Sequence, residues 1–157
     1  MAHSPRTIPT FYRVFFIYLD PVMSLWAAYA CFADPDLLLD SYVPKTISVR
    51  NPLHDALFHQ LGGAFFYIAM SQAVLLSYTN DVNIWKIVHG GLLGWDLAIL
   101  YGIWNGLSVQ GRLDPGVWRM EDWITVGSTL VIGLARAAVV AGIGLRKIGD
   151  NGKGKTG

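Results

Sequence analysis

A single cysteine, Cys31, excludes an intrachain disulfide. Charge is also scarce. Only 15% of the 157 residues are charged, against about a quarter in soluble domains. The formal net charge of +1 offers nucleic acid no basic footprint. No Asn-x-Ser/Thr sequon occurs, so N-glycosylation is not expected. HExxH and paired-histidine spacings are missing too, which leaves no sequence case for metal.

What the chain has is apolar length. Hydrophobic residues make up 53% of it, and mean hydropathy is +0.39. A helix needs about 20 apolar residues to cross a bilayer core. Four stretches meet that length, from about Phe11 to Phe32, Ala56 to Tyr78, Ile84 to Trp104 and Trp123 to Leu145. Unpaired backbone groups are not tolerated in lipid, so all four are predicted to be helices. Tyr12, Tyr78, Trp85, Trp104, Trp118 and Trp123 sit near their ends, as interfacial aromatics do. The expected class is an all-α integral membrane four-helix bundle. A soluble bundle with a very apolar core is the competing reading. A cleaved signal peptide is weighed for the first stretch, with Ala28-Tyr29-Ala30 as its small-residue site. Asp20-Pro21 would interrupt its apolar region, so a retained span is preferred.

Four spans put both termini on one side. That side carries Arg6, Arg13, Lys86, Arg146, Lys147, Lys153 and Lys155, and the other Lys45, Arg50, Arg112 and Arg119. The excess places both termini in the cytosol. Residues 1–147 are expected to form one four-span domain, and residues 148–157 a disordered basic tail. The tail runs Lys153-Gly154-Lys155-Thr156-Gly157, which resembles a Lys-x-Lys-x-x retrieval signal and implies the endoplasmic reticulum membrane. Gly149 to Thr156 also fits G-x-x-x-x-G-K-T. A phosphate loop needs a preceding strand, and an apolar helix precedes this one, so nucleotide binding is rejected.

Ionisable groups inside a bilayer cost at least about 2.5–3.5 kcal/mol each and need partners or a wet cavity. Asp20, Asp96 and Arg136 are the three. At 1.5 Å per residue all lie roughly 15–18 Å from the cytosolic helix ends, near the midplane. Arg136 could simply neutralise one carboxylate and fix packing. Two acids and one base cannot pair off fully, however, so one carboxyl could stay protonated and act as a general acid. His89 lies seven residues before Asp96 on the same helix face. Gly90, Gly91 and Gly94 are expected to allow close helix approach beside them. Tyr67, Tyr101, Trp104, His59 and Asn105 complete the candidates. Each has a plainer reading: histidine as a packing residue, aromatics as interface anchors or core. Gly127, Gly133, Ala137 and Ala141 suggest packing within the fold or in a dimer.

The runs RVFFIYLDP, FADPDLLL, VP, HQLGGAF and GWDLAILYG resemble a fungal family of short four-span membrane proteins. That family is largely a domain of unknown function, with some members beside secondary-metabolite clusters. The resemblance covers roughly Phe11 to Tyr101, and Asp20 and Asp96 fall on its motifs while Arg136 lies outside them. A fainter architectural likeness links the chain to emopamil-binding-type sterol isomerases and membrane-bound terpene cyclases. These use acids within an aromatic-lined cavity, although the cyclases have more spans.

The leading expectation is therefore an endoplasmic reticulum isomerase or cyclase that protonates an alkene or epoxide of a lipophilic terpenoid or polyketide. Asp96 is the expected proton donor, Asp20 its partner or base, Arg136 the group holding one of them ionised, and His89 a relay. Tyr67, Tyr101, Trp104, His59 and Asn105 would bind substrate. No cofactor is required. Membrane lipid, a homodimer mate or biosynthetic enzymes are the expected partners. The alternative is a non-catalytic membrane scaffold. A transport role is disfavoured because no internal repeat is visible.

Overall fold

The computed structural model describes residues 6–147. The retrieval-like motif, the phosphate-loop look-alike and the expected disordered tail lie outside the described residues. Four helices are long and apolar enough to cross a membrane: α1 (Thr10–Ala33), α3 (Pro52–Ser77), α4 (Val82–Val109) and α5 (Met120–Ala141). A short helix, α2 (Pro35–Asp40), follows α1. The predicted spans match these within a few residues, except that α4 runs on to Val109.

Local chemistry sets the helix ends. Asp34 caps α2 by accepting from the Leu37 N–H at 3.1 Å. Asp81 caps α4 through the Asn83 N–H at 2.7 Å. α5 stops at Gly142, whose φ of 79° is the left-handed conformation that glycine adopts freely. α1 contains one wide π turn, Phe15–Leu19. There the Asp20 N–H reaches back five residues to the Phe15 carbonyl. Pro21 follows, without an N–H and with a ring that crowds the carbonyl four residues back. The wide turn absorbs that crowding, so α1 continues unbroken past Asp20.

The helices pack in two pairs, α1 with α3 and α4 with α5. The α1–α3 contact is close. A Cβ added at Gly62 would stand 2.7 Å from Phe32 Cε2 and 2.9 Å from Cys31 Cβ. α3 and α4 follow one another through a short turn, yet each packs chiefly on its other partner. The expected close approach at Gly90, Gly91 and Gly94 is not formed, since a Cβ at any of them meets nothing within 4 Å. Of the three, Gly91 lies in the groove between α3 and α4 and leaves it unfilled at that point.

Both ends of the bundle are tied. At one end, Arg6–Thr7 pairs antiparallel with Arg146–Lys147, and the Tyr12 hydroxyl donates to the Ile143 carbonyl at 3.0 Å. The two ends of the described chain therefore meet. Phe16, Leu76, Trp85 and Val139, one from each long helix, form the buried core nearby. At the other end, Arg119 bonds Asp40 at 3.1 Å, and Asp122 accepts from the Arg119 N–H at 2.8 Å and from Arg112. Gln110 donates to the Tyr42 carbonyl at 3.2 Å, which draws the α2 connection over the bundle.

The surface is inverted relative to a water-soluble bundle. Leu134, Tyr101 and Val131 are 69%, 72% and 59% exposed, whereas Asp20, Arg136 and Asp96 are 2%, 3% and 4% exposed.

Candidate functional site

Each group of the polar trio arrives on a different helix. Asp20 leaves α1 where the π turn ends. Asp96 projects from α4 and Arg136 from α5. Gly133 lies one turn before Arg136 and faces Asp96. A Cβ there would sit 3.6 Å from Asp96 Oδ2, an ordinary contact.

Arg136 bridges the two acids. One of its terminal nitrogens donates to Asp20 Oδ2 at 2.7 Å. The other donates to Asp96 Oδ1 and, at 3.3 Å, to the Leu92 carbonyl. Asp96 Oδ2 and Arg136 Nε are fully buried and bond to no protein group. Two carboxyl groups thus share one guanidinium. With all three ionised the cluster carries one excess negative charge in an apolar interior, and a single proton balances it. Asp96 Oδ2, buried without a hydrogen-bond partner, is an oxygen that can take that proton.

A cavity of about 250 Å³ opens beside the cluster, with Asp20, Asp96 and Arg136 in its wall. Trp26, Tyr42, Phe65 and Trp95 supply its aromatic faces, and Thr125, Ser128 and Thr129 a hydroxyl stripe. The stripe is partly occupied by its own helix, with the Thr129 hydroxyl donating to the Thr125 carbonyl at 2.8 Å. Tyr42 comes from the connection after α2, and its burial raises the phenol pKa above its ordinary 10.0.

The chain belongs to the DUF7704 family, a domain of unknown function. The family match covers residues 5–146, which takes in all four long helices and the whole Asp–Arg–Asp cluster. No curated protein and no solved structure matches the chain. For this DUF7704 protein the chemistry must be read from the site alone.

The structure joins Asp20, Asp96 and Arg136 directly. His89 is also fully buried, but it packs against Phe16 with ring centroids 4.1 Å apart and planes tilted by 46°, and it does not line the cavity. Both of its ring nitrogens, like the amide of fully buried Gln72, bond to no protein group. The five expected binding residues lie elsewhere. Tyr67, Tyr101 and Trp104 point outward at 72%, 72% and 61% exposure. His59 stacks on Phe32 at 5.5 Å, and both it and Asn105 are exposed. Helical phase explains part of this. Tyr101 follows Asp96 by five residues and Asn105 by nine, spacings that rotate well off its face. The residues that do line the cavity carried a legible signal. Thr125, Ser128, Thr129, Ile132 and Arg136 repeat every three or four residues, which is one helix face.

Proposed function

We propose that this protein is a multi-pass enzyme of the endoplasmic reticulum membrane, with both termini cytosolic, that isomerises or cyclises a lipophilic intermediate by acid/base chemistry. The observation that carries this reading is the cavity ending on a buried cluster of two carboxyls and one guanidinium. Membrane residence is supported by four long apolar helices whose outward faces are apolar and whose acids turn inward. A soluble bundle would bury the opposite set.

In the proposed reaction, Asp96 Oδ2 delivers its proton to an alkene carbon or epoxide oxygen in the cavity. Positive charge develops on an adjacent carbon, and the faces of Trp95 and Phe65 stabilise it. The Asp20 carboxylate then accepts a proton from the neighbouring carbon and forms the new double bond. One proton leaves Asp96 and one arrives at Asp20, so the substrate changes without net gain or loss. Arg136 spans both acids and stays bonded to whichever is ionised. The cavity walls are chiefly apolar, which fits a terpenoid or polyketide substrate. The family resemblance around Asp20 and Asp96 supports a place in secondary metabolism.

The test is a comparison of lipophilic metabolites from cells carrying the wild-type chain, no chain, Asp96→Asn or Asp20→Asn. Both variants are expected to accumulate in membranes and to lose the product. Unchanged product from Asp96→Asn sinks the acid role. The second reading, a non-catalytic scaffold, is favoured by the bonding of both acids to the same guanidinium. It predicts loss of the protein itself from both variants.

A further inference from the structure

Beside the first cavity, itself half open to the surface, runs a second hollow, an apolar groove of about 420 Å³ between α3 and α4. Tyr67, Ser71 and Leu75 form its α3 side, and Ile87, Gly91 and Trp95 its α4 side. Two residues, Ile68 and Trp95, belong to the walls of both hollows. They form a common wall between the two hollows. Phe65 braces it from the cavity side, meeting Trp95 edge to face at 6.1 Å and 88°.

Three features bear on this seam. α3 and α4 each pack chiefly on another helix, so little holds them to one another. Gly91 supplies no side chain, and a Cβ there meets nothing within 4 Å. The groove's lining is mainly apolar, so it suits acyl or isoprenoid chains from a surrounding bilayer.

We infer that the α3–α4 groove is a lateral portal. Through it an elongated lipophilic ligand passes its reactive end between Ile68 and Trp95 to the Asp–Arg–Asp cluster, while its tail stays in the groove. This deepens the proposed function and rests on it for the chemistry at the cluster. Size decides the class of ligand. A cavity of about 250 Å³ is below the usual range of about 300–1,000 Å³ for a site that encloses a drug-sized molecule. It holds a small unsaturated or epoxidised end, and the groove takes the remainder. A linear isoprenoid or acyl chain fits that division. Tyr67, exposed and remote from the acids, thereby becomes a groove residue that lies along the ligand's tail.

The experiment is photolabelling of the full chain in phosphatidylcholine nanodiscs with a ten-carbon alcohol bearing a diazirine at its far end, mapped by mass spectrometry. In the wild type, label is expected at Ser24 and Ile132 inside the cavity as well as at Tyr67 in the groove. Gly91→Leu fills the groove from α4 and Ala64→Phe from α3. Each should abolish label at Ser24 and Ile132 and leave label on outward-facing Leu134 unchanged. Trp95→Ala thins the common wall and should increase cavity label. Cavity label that survives Gly91→Leu and Ala64→Phe overturns the portal, as does cavity label unaffected by Trp95→Ala, or its absence from the wild type. Labelling needs no turnover, so the two proposals separate. If the portal fails while Asp96→Asn still abolishes product, the enzyme reading stands. If cavity labelling follows the portal variants but Asp96→Asn leaves product intact, the portal stands without the acid chemistry.

Discussion

Arg136 ties the two helix pairs to one another. Its bond to Asp96 lies within the α4–α5 pair, and its bond to Asp20 crosses to the α1–α3 pair. Replacing it with methionine leaves two buried carboxyls facing each other with no cation. Breaking such a cluster costs about 3–5 kcal/mol, whereas exchanging all its members for apolar residues is often neutral. Arg136→Met should therefore lower the melting temperature in detergent sharply, and Asp20→Leu with Asp96→Leu in the same chain should restore most of it. No recovery in the triple variant would show that the guanidinium does more than balance charge. Tyr42 provides a second test at this scale. Its phenol pKa is raised above 10.0 by burial, so the folded state favours the protonated form. That contribution is complete below pH 10 and is lost as pH rises through the raised value. Stability should fall in strongly alkaline solution, and Tyr42→Phe should flatten that limb of the pH–melting curve.

At the scale of elements, the π turn and the glycines do the positioning. Gly62 lets α3 lie against Phe32 and Cys31. Gly62→Ala forces a shift there and should destabilise by about 1–3 kcal/mol, the usual cost of overpacking. Gly63→Ala, one position on, meets open space and gains helix propensity of up to about 1 kcal/mol. Melting curves of the two variants should move in opposite directions. The sequence shows where helices begin and end because apolar length and capping residues are local. Asp20, Asp96 and Arg136 were legible for a related reason. A charge within an apolar run has few places to go, and depth along each helix follows from residue count. Rotation is different. Which face of α4 turns inward depends on partners distant in sequence, so Tyr101 and Trp104 were expected beside Asp96 and lie outside. Trp95, adjacent to Asp96 in the chain, lines the cavity instead. Gly90, Gly91 and Gly94 misled in the same way. Small residues permit an approach but do not compel one, and here the seam stays open.

For the whole molecule, the arrangement is two helix pairs clasped at three levels. The strand pair and aromatic core close one end, Arg136 the middle, and the Arg119, Asp40 and Asp122 network the other. The proposed orientation gives the ends to the cytosol and the Asp40–Arg119 network to the lumen. Epitope tags at either terminus should then be cleaved when intact microsomes are treated with protease, and a tag inserted after Ser48 should be protected. Protection of the terminal tags would reverse the orientation and with it the basis for a cytosolic retrieval signal.

The pairing of Arg6–Thr7 with Arg146–Lys147 makes the described segment nearly a closed loop. Where a chain starts is then a matter of convenience to the fold. A circular permutant with Arg6 and Lys147 joined by a short linker and new ends opened at the Thr79–Asp81 turn should assemble the same four helices. Its melting temperature, set beside that of the parent, would show how little the order of synthesis contributes to the final packing.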